Sequence, residues 1–361
     1  MKQLERIEIY KEIFSNVSIN HNQKILSFND LRNEYQTFYK SAIIFDSSHS
    51  PIFTIKGKDV LDFFNRISTN DFSKIGEFSS ITSLLLNEKG RIIDKVKLLN
   101  LKDEYLLIGS PDNFEKIFRW IQRYILSDDV SVLPAQDYYL YFKIMGSKSE
   151  SFFTLLFGDQ LKDLEERKIY KYFGNTFSCY VVKDYVLENL IGYEIICESK
   201  FTESIIKYFY SNLDVFNCSF LGTNAFEIIR IEQGEPVFPN EINDSYNPYE
   251  VNLVKHVSFT KGCYIGQEVI ARLDTYDKVR RNFSGFEVFD NLQVLTDMNI
   301  YNLEGSIVGK LTSYTYSPKL ERTIALGVIS KKFYEENNDL LLNLNENKIK
   351  IRMVKLPFIQ I

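Results

Sequence analysis

Between Ser41 and Leu101, and again from Asn282 onward, the chain breaks into short apolar runs separated by turn residues, and this limits its fold more than any other feature. Ala42-Ile43-Ile44-Phe45 and Ile52-Phe53-Thr54-Ile55 read as strands, as do Ser83–Asn87, Arg91–Leu101 and Tyr105–Ile108. The loop Glu88-Lys89-Gly90 joins two of them as a hairpin, its glycine suiting a positive backbone angle. Helical spacing occurs only in short stretches, such as Val60 to Ile67 and Phe114 to Ile125. Strands far outnumber possible crossover helices, and no GxGxxG follows a strand. A doubly wound parallel sheet is thereby excluded, leaving an α+β class with mainly antiparallel sheets. From Asn282 the runs Phe283–Phe289, Ile307–Tyr314, Thr323–Ile329 and Lys348–Lys355 predict a C-terminal β-barrel or sandwich.

With 361 residues the chain has room for two or three domains. The expected division is a polar, Asn-rich lead-in over 1–40, a first α+β region over 41–135, a second over 136–281 and the β-rich unit over 282–361. A net charge of −5 argues against a broad nucleic-acid footprint. No apolar run reaches the ~18 residues that span a bilayer, and Met1 to Glu8 lacks a signal-peptide core. A cytoplasmic protein without membrane contact is expected. The four cysteines (Cys179, Cys197, Cys218, Cys263) and three histidines show no metal-ligand spacing, so no metal is expected.

Chemistry concentrates in Lys261-Gly262-Cys263-Tyr264-Ile265-Gly266-Gln267-Glu268, followed by Ala271-Arg272 and by Lys278, Arg280 and Arg281. A thiol beside cations and before a helix start is set up to ionise, and the thiolate is the reactive form. Cys263 is therefore the candidate reactive group, with Lys261 beside it; a buried cysteine in a turn is the plainer alternative. Glu232 falls in the last turn of a helix predicted over Asn224 to Gln233, where the dipole disfavours an anion by about 0.3–1 kcal/mol. Such a carboxylate is either a tolerated surface group or one held for a ligand with paired N–H donors. Asp94 follows the Gly90 turn and can point into a cleft or to solvent. His49, in a Ser-rich loop, reads as a surface or capping histidine.

The motif around Cys263 resembles the signature of the YgfZ family, folate-binding relatives of the glycine-cleavage T-protein (aminomethyltransferase). Phe45-Asp46-Ser47-Ser48, Thr69-Asn70-Asp71, Leu86 to Asp94, Arg230 to Pro236, Asn247-Pro248-Tyr249-Glu250, Gly309 to Ser313 and Ala325-Leu326-Gly327 extend the likeness over roughly residues 41–330. The resemblance implies a three-domain, cloverleaf-like ring around tetrahydrofolate, closed by the C-terminal barrel, with the first two domains possibly discontinuous. It implies Glu232 as the pterin grip, Asn87, Tyr264, Gln267 and Arg272 as further folate contacts, and Cys263, Lys261 and Asp94 as reacting groups. The implied role is folate-dependent support of iron–sulfur proteins, including clients that modify tRNA. An aminomethyltransferase is the alternative, and a folate-sensing adaptor with a structural Cys263 is a second one. T-proteins carry two acids after the hairpin glycine, one assisting methylene transfer; here they read Asp94-Lys95.

Overall fold

The computed structural model describes residues 2–289, 297–336, 339–344 and 347–360. Three β-units account for most of it. A six-stranded sheet runs in the order Ile169–Phe173, Ser178–Leu187, Leu190–Glu198, Tyr139–Met145, Ile43–Asp46, Ser219–Leu221. Its pairings are antiparallel except the last, where Ser219–Leu221 lies parallel to Ile43–Asp46. A five-stranded antiparallel sheet follows the order Ser79–Leu86, Ile92–Asn100, Tyr105–Ile108, Ile52–Lys56, Ser131–Pro134. Six strands from Arg281–Val288 to Asn347–Val354 close into an antiparallel barrel, as the β-rich C-terminal pattern predicts. Closure removes the unpaired edges that an open sheet would expose.

The barrel begins at Arg281, while the expected divisions at 40 and 135 cut across elements that pack together. Strand Ile43–Asp46 pairs with Tyr139–Met145, so the chain leaves the six-stranded sheet at Asp46, builds the whole five-stranded sheet, and returns at Tyr139. The first unit is thus discontinuous. Nor is the stretch 1–40 a mere lead-in. Helix Lys2–Ile13 buries Ile7, Ile9 and Tyr10, and helix Leu31–Lys40 buries Tyr35 and Phe38. Tyr10 and Phe28 meet edge-to-face with centroids 5.0 Å apart, the geometry favoured by ring quadrupoles. Glu34, fully buried, accepts backbone N–H bonds from Phe28, Asn29 and Gly222, tying this segment to the sheet edge. Asparagine-rich surface positions mask these anchors in the sequence.

Each unit touches the other two, closing the ring. Ile52, Leu99 and Leu106 of the five-stranded sheet pack on Tyr141, Val182 and Ile196 of the six-stranded one. Leu84, Leu86 and Ile92 pack with Phe283, Ile324 and Leu326 of the barrel. Between barrel and six-stranded sheet, helix Thr223–Glu232 carries Arg230, which is fully buried and donates to Ser313 Oγ (2.7 Å) and Glu241 (3.4 Å).

Candidate functional site

Glu232 belongs to this framework. Helix Thr223–Glu232 starts at Gly222, two residues earlier than an Asn224 cap implies, and Glu232 is its last residue. Its side chain is fully buried between helix Leu31–Lys40 and the barrel. Oε1 accepts the Tyr35 hydroxyl at 2.8 Å and that of Ser317; Oε2 accepts the Tyr39 hydroxyl. Burial raises its pKa against the lowering effect of those three donors. The carboxylate is thus occupied by protein hydroxyls and unexposed, and in this structure it braces the helix against the barrel instead of facing a ligand as a pterin grip would. The hydroxyls come from segments far apart in sequence, so the cost of an anion at a helix C-terminus is offset only in the folded ring.

Asn87 is also structural. Its Oδ1 accepts the N–H groups of Lys89 and Arg91, at 2.9 and 3.0 Å, closing the hairpin loop. The motif loop packs on that hairpin. Gly266 has φ +83°, and a Cβ there would lie 2.7 Å from the Asn87 carbonyl oxygen, so only glycine allows the approach. Tyr264 is buried among Leu86, Ile92 and Ile270. Gln267 opens helix Gln267–Thr275 half-exposed, and Arg272 is exposed on the same helix, 3.9 Å from Glu268. These four are placed by packing or by solvent.

Cys263 is exposed, beside a Gly262 with open space around it. The cations expected around it serve other groups. Lys261 donates to the carbonyls of Ser68 (2.8 Å) and Asn70 and lies over the Tyr264 ring. Burial lowers the Lys261 ammonium pKa to about 8. Lys278 sits over Tyr276, and Arg281 grips Glu250 at 2.8 Å. The picture of one thiol inside a ring of cations is replaced by an accessible thiol on a well-anchored loop.

A cluster of charges lies elsewhere, where the five-stranded sheet meets a hairpin of the six-stranded sheet and the segment that follows helix Thr223–Glu232. Successive strand residues point to opposite faces. On strand Ile92–Asn100, Lys95 therefore leaves the face opposite to Asp94. Lys95 Nζ donates to Glu188 (2.7 Å) and Glu235 (2.8 Å). Glu188 sits in the tight turn between strands Ser178–Leu187 and Leu190–Glu198. Both its oxygens lie 3.1 Å from His256 Nε2, and Lys255 Nζ pairs with Oε2 at 2.8 Å. Burial pushes the Glu188 carboxyl up, but Lys95, His256 and Lys255 outweigh it and hold the group well below the usual carboxylate range. The same balance, against its own burial, keeps Lys95 protonated. The segment from Lys255 to Lys261 joins this junction to the Cys263 loop: Ser258 N–H donates to Thr69 O, and Thr69 Oγ1 to His256 O.

Asp94 is different again. It is fully buried on the helix-covered face, and Oδ2 accepts the Ser110 N–H at 2.9 Å. Among the described residues Oδ1 meets no donor. Burial raises its pKa to about 6, more than its hydrogen bonds lower it. The close approach depends on Gly109: a Cβ there would sit 2.3 Å from Ile117 Cδ1 and 3.0 Å from Asp94 Oδ2.

Known proteins share this fold. A GCVT N-terminal domain model matches residues 2–261, and a glycine cleavage T-protein C-terminal barrel domain model matches residues 281–360. The chain belongs to the glycine cleavage T-protein family. It is 26% identical over 339 residues to an aminomethyltransferase of Staphylococcus carnosus (strain TM300), covering 91% of this chain and 90% of that one. The crystal structure of glycine cleavage system aminomethyltransferase T from Bartonella henselae superposes with a TM-score of 0.84 at 17% identity. That match covers 98% of this chain and 96% of the other and shows the shared fold.

Within a T-protein fold, the pair Asp94-Lys95 takes on meaning: the residue facing the Glu188 junction is the lysine, and the acid is sealed on the other side. Glu188, Lys255 and His256 were not identified from the sequence. A glutamate in a hairpin turn looks like any solvated turn residue, and its partners Lys95, Lys255 and His256 are 67 or more positions away in sequence. Among the described residues no helix is long and apolar enough to cross a membrane, and no group of three or more His, Cys, Asp or Glu could hold a metal ion.

Proposed function

We propose that this T-protein relative binds a reduced folate at the Lys95–Glu188 junction between its two sheets and handles the one-carbon unit that folate carries. The observation behind this is the charge cluster Lys95–Glu188–Glu235–His256, with exposed Lys255 at its rim, where the five-stranded sheet, the hairpin of the six-stranded sheet and the segment after helix Thr223–Glu232 meet. Buried charges are expensive to maintain for stability alone, since a packed apolar junction would serve as well or better. The chemistry of the donor set fits a pterin. Its amide-and-amine edge offers paired N–H donors, which one carboxylate accepts in parallel. Glu188 already accepts a single imidazole nitrogen at both oxygens. A bound pterin would exchange places with His256 and leave Lys95 to neutralise the carboxylate. Tetrahydrofolate would supply the nitrogen nucleophile for a one-carbon unit; this chain's residues would orient it and exclude water.

The first reading of the activity is aminomethyl transfer, as in the Staphylococcus relative's name. Asp94, sealed on the face opposite to Lys95, would then act only by holding the strand that presents Lys95. A second reading, a YgfZ-type role in iron–sulfur protein assembly or repair, is favoured by two observations. Lys95 rather than an acid faces the junction, and Cys263 stands exposed on its anchored loop. Client proteins would then meet the thiol face of the molecule.

Titration with tetrahydrofolate tests the binding. Glu188→Gln should weaken it about tenfold or more, as expected for losing a charged hydrogen-bond acceptor. Glu232→Gln should leave affinity unchanged while lowering stability. Equal affinity in wild type and Glu188→Gln would remove the junction as the folate site. Turnover with an aminomethyl-lipoyl donor supports the first reading. Failure of Cys263→Ser to restore iron–sulfur enzyme activity in a deletion strain, with no such turnover, supports the second.

A further inference from the structure

Where helix Lys2–Ile13 lies over the turn that follows Asp46, the fold leaves a hollow of about 20 Å³ bordered by Arg6, Lys24, Asp46, His49 and Thr223. It shares no residue with the Glu188 junction. The Asp46 turn is one of the chain's distinctive sequence blocks, and the folate reading gives it no task.

The walls have more donors than acceptors. Arg6 is 5% exposed, and its Nη1 reaches Asp46 Oδ1 at 3.3 Å. Among the described residues its Nε–H finds no acceptor. A buried guanidinium N–H without a partner is costly, so such a group marks a missing acceptor. Asp46 has little left to offer, because it also accepts the Ser48 N–H (2.9 Å) and the Tyr10 hydroxyl (2.8 Å). Lys24 places its ammonium at the edge of the hollow, with an exposed Asp112 as its only ion-pair partner among the described residues. His49 is not the surface histidine expected from its loop: burial first, then the charge of Lys24, lower its pKa to about 4. It therefore stays neutral at physiological pH, in a field that repels a further proton.

We propose that this hollow binds a small carboxylate of formate size, whose oxygens accept the Arg6 Nε–H and the Lys24 ammonium. With about 20 Å³ open to the centres of water-sized atoms, the hollow takes the two oxygens of a formate-sized group and excludes larger acids. A planar carboxylate matches the guanidinium fork better than a spherical ion does. The site would couple helix Lys2–Ile13 to the loop holding Asp112, two residues beyond the Ser110 whose N–H supports Asp94.

Saturation-transfer NMR on the full chain with formate tests this, together with thermal unfolding in formate, chloride or benzenesulfonate at fixed ionic strength. We expect transfer to the formate proton and a saturable rise in unfolding midpoint in formate, with none in benzenesulfonate. Arg6→Lys, which keeps the charge and removes the Nε–H, should weaken formate binding about tenfold. Thr223→Met, which grows into the hollow, should abolish it; this variant decides the matter if Arg6→Lys does not fold. Absence of both effects in the wild type would mean that water fills the hollow and would overturn the proposal. So would an equal rise in chloride, or unchanged binding in both variants.

Discussion

Replacing Asp94 with asparagine should change how stability depends on pH, in a direction the structure dictates. In the folded chain this carboxyl titrates at about 6, against an ordinary value of 3.8, because burial disfavours its charge. The native state therefore binds a proton more tightly than the unfolded chain, by a factor on the order of 100, or about 3 kcal/mol. The destabilisation is fully present above pH 6, fades as pH falls through 6, and is gone below pH 4. The amide oxygen of the Asp94→Asn variant would still accept the Ser110 N–H. Its NH₂ would stand where Oδ1 now lacks a donor, at a cost of about 1–3 kcal/mol if no acceptor is found. The two contributions nearly cancel near pH 7.5, so one measurement at that pH decides nothing. The difference between variant and wild type decides it. Urea unfolding at half-unit steps from pH 4.5 to 7.5 should show the variant gaining about 2 kcal/mol on the wild type as pH rises. A flat difference curve would show that Asp94 titrates normally and that its burial carries no electrostatic cost.

Other outcomes follow from the same geometry. Lys95→Met should cost about 3–5 kcal/mol of stability, measured by denaturant unfolding, because it leaves Glu188 and Glu235 buried without their shared cation. Lys95→Met with Glu235→Gln should recover part of that loss. His49 titrates at about 4 when folded, below its ordinary 6.5, so its contribution is complete above about pH 6.5 and lost as pH falls towards 4. In His49→Phe that part of the acid-unfolding profile should flatten. Maleimide should label the native protein first at Cys263, the exposed thiol; buried Cys179 and Cys197 should react only on unfolding, as mass spectrometry of digested peptides would report.

Local patterning was enough to read the strand-rich α+β class, the closed β-rich C-terminus, the Glu88-Lys89-Gly90 hairpin and the helices at Val60–Ile67 and Phe114–Tyr124. Alternating side chains, turn residues and helical spacing are written into a few neighbouring positions. The motif glycine Gly266 was equally visible, and its role emerged once the Asn87 carbonyl was seen against it. What lay beyond the sequence was every decision made by side chains meeting from distant segments. The return of Tyr139–Met145 to Ile43–Asp46 is one such decision. The three hydroxyls around Glu232 and the union of Lys95 with Glu188 join residues 85 to 197 positions apart only by folding. Whether a carboxylate is a ligand grip or a buried strut depends on which donors surround it, and only the tertiary structure supplies them.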